Sequence, residues 1–351
     1  MRTVELGDKT VGTGSTFVIA EAGSNHNNDI SQAKQLIDVA ADAGADAVKF
    51  QTFRAKTMYP ESSGAADYLD TDESLYSLVS EMEMPYDWIP KLRDYCQNRD
   101  ILFLSTPTDR RAVDELSDYV PAYKIASFTM SHHPFLKYVA QQGKPVILST
   151  GAHSMSEVVK AVETLQSAGL DEIIVLQCTS SYPAPLESTN VRVIERFKRK
   201  FGLPSGLSDH TLDPIIAPSA AVATGADVIE KHFTLDNSMD GPDHEFAIEP
   251  AELKDMISSI RKTEQVLGDS EKEIQSVEKE MHDIARRRIH ASTDIEEGEQ
   301  LTTENMDILR SGKNKNGLAP KFFDEVIGMH TTEHISSGEG ITWDVIQSDD
   351  L

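Results

Sequence analysis

Side chains capable of chemistry recur in this chain at one kind of place, the carboxyl end of a short apolar run. Lys49 lies in Ala47-Val-Lys-Phe-Gln51, and Lys124 in Tyr123-Lys-Ile-Ala-Ser127. Glu21, Ser105-Thr106, Ser149-Thr150, Ser208-Asp209-His210 and Glu230-Lys231-His232 hold equivalent positions in further runs. Two ammonium groups with several hydroxyls suit a phosphate plus a carboxylate better than a neutral ligand. The alternative is that each lysine pairs with Glu21 or Glu230. His210 and His232 end consecutive runs; on adjacent strands, ~4.8 Å apart, two imidazoles can share one divalent metal with open positions. Glu21, Asp209 and Glu230 are candidates for a further ligand or an orienting group. The alternative here is that both histidines only hydrogen-bond substrate or core groups. Cys178 has no base beside it in the sequence and reads as a packed thiol. Tyr182, a few residues on, offers a ring to stack on a sugar and a hydroxyl to bond it. His26 follows Asn25 in the first strand's loop and is placed to orient it.

The elements that must position these groups follow from hydrophobic spacing. Strand-like runs fall at 17–21, 45–50, 101–105, 122–126, 145–149, 172–177, 205–208 and 228–231, with helical patterns between them. In 31–44, Ala33, Leu36, Ile37, Ala40 and Ala41 repeat at helical spacing, and Gly44 supplies a stop. In 154–169, Ser154 and Glu157 form a capping-box pattern and Gly169 closes the helix. Eight βα units in about 250 residues predict a (β/α)8 TIM barrel, whose active site sits at the carboxyl ends of its strands. A doubly wound sheet is the rival, but no G-x-G-x-x-G follows the first strand.

The texture changes after Gly268. Residues 1–268 read as the barrel, 269–285 as a charged linker, and 286–351 as a small β-rich module. Ser270 with Glu273 is a candidate cap for a helix in the linker. In the module, residues 295–302 (IEEGEQLT) echo residues 335–342 (ISSGEGIT), which predicts a pseudo-symmetric pair of turns.

Composition bounds the function classes. The 351 residues include 33 Lys+Arg against 58 Asp+Glu, a formal charge of −25, which opposes binding to nucleic acid or an anionic membrane surface. It also suits a high-salt cytoplasm. With 39% hydrophobic and 26% charged residues the chain can bury a core. Two cysteines predict no disulfide framework and a reducing, cytoplasmic setting. No apolar run approaches the ~20 residues of a membrane span, and the opening MRTVELGDKTVGTG lacks a signal peptide's apolar core.

In order along the chain, EAGSNHNND (21–29), VKFQT (48–52), LSTP (104–107), YKIAS (123–127), LSTG (148–151), LQCTSSYP (176–183), GLSDHT (206–211), IEKHFTLD (229–236) and GPDH (241–244) resemble the sialic acid synthases. That group includes the N-acetylneuraminate, legionaminate and pseudaminate synthases. The tail resembles their antifreeze-like, or SAF, domain. The resemblance implies a metal-dependent condensation of phosphoenolpyruvate with an N-acylated amino sugar and water. The products are a nine-carbon 2-keto sugar acid and phosphate. It implies phosphoenolpyruvate contacts at Lys49, Thr106, Lys124, Ser127, Ser149 and Ser208, and metal ligands at His210 and His232, with Mn2+ expected and Mg2+ or Co2+ as alternatives. Sugar contacts carry over onto Glu21, Gln51, Tyr182 and Asp243, with Asp70 as a further candidate. Lys49, Lys124, Glu21 and Asp243 are the expected catalytic groups, Glu21 as an acid/base or water-positioning residue.

The module resembles one that reaches into a partner's barrel, which implies a domain-swapped homodimer and a sugar contact from Arg310. The GPDH motif is closer to the neuraminate and legionaminate enzymes than to the pseudaminate type. The expected acceptor is N-acetylmannosamine or a related sugar, with 2,4-diacetamido-2,4,6-trideoxymannose as the alternative. Less favoured rivals are another phosphoenolpyruvate-dependent sugar aldolase, which lacks a second basic anion site here, and a non-enzymatic sugar-binding protein.

Overall fold

The computed structural model describes residues 2–64, 74–313 and 316–348; Asp70 lies outside the described residues. The chain divides into two compact units, Met1–Gly268 and Asp269–Leu351.

The first unit opens with an antiparallel hairpin, β1 (Val4–Leu6) and β2 (Lys9–Val11). Eight parallel strands then close on themselves: β3 (Phe17–Gly23), β4 (Ala47–Thr52), β5 (Leu102–Pro107), β6 (Tyr123–Ile125), β7 (Val146–Ser149), β8 (Ile173–Cys178), β9 (Ser205–Asp209) and β10 (Val228–His232). All eight predicted runs are strands of the barrel, and β10 pairs with both β9 and β3 to complete the ring. Helices fill the intervals as the spacing predicts. Ile30–Ala43 ends with Gly44 at φ +86°, a left-handed position that glycine adopts without strain. Met155–Ser167 starts on the Ser154–Glu157 capping box.

Side chains alternate along each strand, so every strand has an outer set facing the helices and an inner set lining the barrel. The outer sets join the helices in one continuous core that includes Val48, Phe50, Val175 and Ile229. The inner set is apolar at one end only. Phe17, Ile19, Ala47, Leu104, Ile147, Ile174 and Val228 pack there, and Val4, Leu6 and Val11 of the hairpin join the same cluster. The hairpin is an element absent from the sequence-based expectation, because runs of three residues fall below the length at which alternation can be read. It seals the amino end of the barrel and leaves the carboxyl end to polar side chains.

In the second unit β11 (Arg287–Ala291) pairs with β12 (Met306–Arg310), and β13 (His330–Thr331) with β14 (Ile346–Gln347). The internal echo is structural. Ile295 and Ile335 exchange backbone hydrogen bonds of 2.9 Å, and each is followed three residues later by a left-handed glycine, Gly298 or Gly338. The proposed cap at Ser270 and Glu273 does not form. Gln275 and Glu278 make the capping box instead, one turn later, and the helix there is Lys279–Ala285. Among the described residues no helix is long and apolar enough to cross a membrane.

If the hairpin closes the barrel floor, Leu6→Ala should destabilise the first unit. Leu6 is fully buried against the inner barrel cluster, so the expected loss is about 2–5 kcal/mol, read as a lower urea midpoint for the barrel's transition.

Candidate active site at the barrel mouth

The polar end of the barrel is built on strand register. Glu21 of β3 lies opposite Lys49 of β4, Gln51 opposite Thr106 of β5, and Glu230 of β10 opposite Ser208 of β9. These side chains turn inward and meet. Lys49 Nζ lies 2.7 Å from Glu21 Oε2 and donates to Thr106 Oγ1 at 3.0 Å. Gln51 Nε2 donates to Glu21 Oε1 at 3.0 Å. Lys124 Nζ donates to Ser149 Oγ at 2.8 Å and lies 3.3 Å from Glu230 Oε1, which also accepts from Ser208 Oγ at 2.8 Å. Ser127 Oγ accepts from the Gly151 amide. Both lysines and both glutamates are almost fully buried.

The lysine–glutamate pairing left open by the sequence is therefore present, and it accompanies the hydroxyl cluster rather than replacing it. Burial alone pulls the Lys49 ammonium down, but Glu21 and Glu230 outweigh it and hold its pKa above the ordinary value. For Lys124 burial wins over Glu230, and its pKa falls. Burial pushes Glu21 up to about 7, with Lys49 opposing and the nearby Glu230 charge adding to the rise. Glu230 is the opposite case, because Lys124 and Lys49 overcome the effect of burial and hold it low.

Across the mouth, His210 and His232 lie with ring centroids 5.5 Å apart. His210 Nδ1 donates to the Thr179 carbonyl at 2.8 Å, which fixes a ring proton there; burial pulls its pKa down, but Cys178 and that carbonyl outweigh it and hold it above the ordinary value. Cys178 is buried as expected, but the base that the sequence does not reveal stands beside it: its Sγ lies 3.9 Å from the same Nδ1, and although burial raises its pKa, His210 outweighs that and holds it below the ordinary value. His232 Nδ1 is buried without a hydrogen-bond partner, 4.0 Å from Asp243 Oδ2. Burial and the neighbouring positive groups keep that imidazole neutral. A buried, unpartnered nitrogen on His232 beside a second imidazole is a donor set that would fit a divalent cation. Among the described residues no group of three or more His, Cys, Asp or Glu side chains converges on one point.

Asp209 is corrected as a candidate ligand. Strand alternation turns it away from Ser208 and His210, and its carboxylate binds Lys231 Nζ at 2.6 Å and the Thr211 amide. Tyr182 is half-exposed, with its ring 4.3 Å from that of His210 and 5.2 Å from that of Phe246. Burial raises the Asp243 pKa, with the Ser24 amide opposing. His26 does orient the first loop: buried against Trp88, it accepts from the Asn28 amide, and burial lowers its pKa to about 4. Arg310 lies exposed on β12 of the second unit, opposite Arg287.

Glu230, two residues before His232, lies on the same inner face and is a lysine partner, as the sequence offers. Two contributors are not legible in the sequence. Phe246 sits in an irregular loop with no periodicity to reveal its direction. Gly23 follows a β-bulge between Glu21 and itself and has φ +53°. A Cβ there would stand 2.8 Å from Asp243 Oδ2, with Gln51 Nε2 and His232 Cε1 at 3.6 Å. The residue at this turn into the first loop must therefore be small.

Two outcomes follow from this geometry. Gly23→Ala should leave the fold intact but displace Asp243, lowering kcat/KM at least roughly tenfold, because small misplacements of reacting groups are costly. The pH profile of kcat/KM, which reports the free enzyme, should show an inflection near pH 7 from Glu21, which Glu21→Gln removes; persistence of the same inflection in the variant would assign it elsewhere.

Residues 36–272 match the NeuB family, and residues 286–347 match the SAF domain. The chain is 42% identical to spore coat polysaccharide biosynthesis protein SpsE of Bacillus subtilis, over 99% of this chain and 98% of that protein. It is 39% identical to N,N'-diacetyllegionaminic acid synthase of Campylobacter jejuni, over 92% of this chain and 98% of that one. The crystal structure of an N-acetylneuraminic acid synthetase from Leptospira borgpetersenii aligns with a TM-score of 0.73 and 34% identity, covering 80% of this chain and 95% of that chain. With likeness of this extent through both units, the chain belongs to the NeuB family of sialic acid-type synthases and carries a SAF domain behind its barrel.

Proposed function

We propose that the barrel condenses phosphoenolpyruvate with an N-acylated amino sugar and water, releasing phosphate and a nine-carbon 2-keto acid. The observation that carries this reading is the division of the mouth. Two buried lysines with Thr106 and Ser149 form one side, and two imidazoles with Tyr182 and Asp243 form the other. On the first side, Lys49, Thr106, Lys124, Ser127, Ser149 and Ser208 receive the phosphate and carboxylate of phosphoenolpyruvate and fix its enol carbon. On the second, Gln51, Asp243 and the Tyr182 ring hold the sugar with its aldehyde toward that carbon. One carbon–carbon bond forms, water adds to the phosphate-bearing carbon, and the carbon–oxygen bond to phosphate then breaks. Glu21, poised near neutrality between Lys49 and Gln51, holds or accepts a proton on its carboxylate as water adds. A divalent cation, Mn2+ or alternatively Mg2+ or Co2+, would be held by His210 and His232 and supplies Lewis-acid polarisation of a carbonyl oxygen when bound.

N-acetylmannosamine or a related sugar is the acceptor class. A 2,4-diacetamido-2,4,6-trideoxymannose acceptor is favoured by two observations. One is the 39% identity to the Campylobacter legionaminic acid synthase; the other is the apolar wall that Phe246 adds beside Tyr182 and His232. The functional unit in this reading is a homodimer in which Arg310 of each chain reaches the other's sugar site. The 269–285 segment supplies the reach, and Ile274, Val277 and Met281 leave apolar surface exposed along it for a second copy to cover.

A panel of amino sugars assayed for phosphate release with added Mn2+ tests activity and acceptor together. His210→Ala and His232→Ala should weaken metal binding and remove most activity with the fold intact; full turnover of both after metal stripping would sink the assignment. Lys49→Ala and Lys124→Ala should weaken phosphoenolpyruvate use and preserve metal binding. Mixing Arg310→Ala with His210→Ala chains should restore activity if the tails are exchanged, since one site of the crossed dimer carries neither defect. No recovery, with heterodimers shown independently, would mean that the tail serves its own barrel or none.

A further inference from the structure

Glu230 has a place in the mouth that substrate binding alone does not explain. Its carboxylate is the one group among the described ion pairs that approaches both ammoniums, Lys124 at 3.3 Å and Lys49 at 3.7 Å. Its Oε1 is fixed by Ser208 Oγ at 2.8 Å, and its backbone is locked in register with Ser208. Its Oε2 has no hydrogen-bond partner although the residue is 4% exposed. Glu230 is held ionised by the two lysines and Glu21 also stands on Lys49, so the positive charge that the cluster offers an incoming anion is reduced. Glu230 is held in this place by the Ser208 hydroxyl and by the register of its strand. An anion seated on both lysines must lie beside a fixed negative charge.

We propose that Glu230 is a brake on anion affinity: it competes with phosphoenolpyruvate and with product phosphate for Lys49 and Lys124, and thereby keeps phosphate from being retained. The inference rests on the reading of the two lysines as the anion site. Like charges a few ångströms apart repel strongly in a water-poor site, so Glu230 shortens the residence of a small anion while the lysines still orient it.

The test is the binding of inorganic phosphate and of phosphoenolpyruvate to the full chain, measured by calorimetry, together with product inhibition by phosphate. Glu230→Gln keeps the side chain's size and removes the charge. It should bind phosphate on the order of tenfold more tightly, with a matching fall in the phosphate inhibition constant and in KM for phosphoenolpyruvate. Unchanged or weaker phosphate binding by the folded variant would overturn the proposal. Glu230→Asp decides the matter if the glutamine variant does not fold. It withdraws the charge from both ammoniums by one methylene, so tighter phosphate binding supports the brake and wild-type affinity refutes it. If instead wild-type binding of phosphoenolpyruvate is not weakened by Lys124→Ala, the anion site itself falls, and the brake with it.

Discussion

The structure depends on keeping two ammonium groups and two carboxylates out of water at the end of a barrel. Each would be costly to bury alone, by several kcal/mol per ion, and removing one partner of such a pair typically costs about 3–5 kcal/mol. The arrangement is tolerable because no charge stands alone. Lys49 has Glu21, Glu230 and Thr106; Lys124 has Glu230 and Ser149; Glu230 has Ser208. The partners come from five different strands, and strand register is what brings them within reach. The hairpin at the opposite end has a complementary part. By joining the inner apolar cluster it excludes water from below, so the polar cluster is wetted from the mouth alone. A substrate that closes that mouth strengthens every interaction beneath it.

The imidazole side of the mouth depends on a different constraint, the closure of the ring between its last and first strands. His232 lies opposite Glu21, and the chain at Glu21–Gly23 bulges, so that Gly23 turns into the left-handed region. That turn lets Asp243 come within reach of His232 and sends the first loop back across the mouth, where Asn25 Nδ2 holds the Phe233 carbonyl at 2.9 Å. Acid, imidazole and loop are thus positioned by one irregularity in an otherwise regular sheet. A β-bulge beside a reactive site re-aims side chains that a regular ladder would point elsewhere.

Most of the barrel was legible because alternation and helical spacing are local properties. The polar groups at strand ends were legible because a lysine or histidine on a buried strand opposes its surroundings and so stands out. The histidine pair followed from the barrel itself, since consecutive strands are neighbours there. What stayed hidden depended on distance or direction. Asp209 looked equivalent to Ser208 until the pleat turned it toward Lys231. Phe246 became part of the mouth through a loop whose path no periodicity describes. The three-residue hairpin strands carry too little pattern to read, although their burial is complete at Leu6 and Val11. The linker cap slipped by one turn because two acceptable boxes, Ser270 with Glu273 and Gln275 with Glu278, compete within one charged segment.

Net charge and site charge work against each other in this molecule. The chain carries −25 overall, and phosphoenolpyruvate is an anion, so the field of the whole surface opposes its approach. The mouth does little to reverse that field, because its lysines are already matched by carboxylates. Recognition must therefore be short-ranged: hydroxyl and ammonium donors act only after the anion has entered. Salt changes this balance in one direction. At 1 M the screening length falls to roughly 3 Å, which removes the opposing surface field, while pairs buried beneath the mouth are screened much less. An acidic surface around a buried cluster of ion pairs is thus a combination that loses little at high ionic strength.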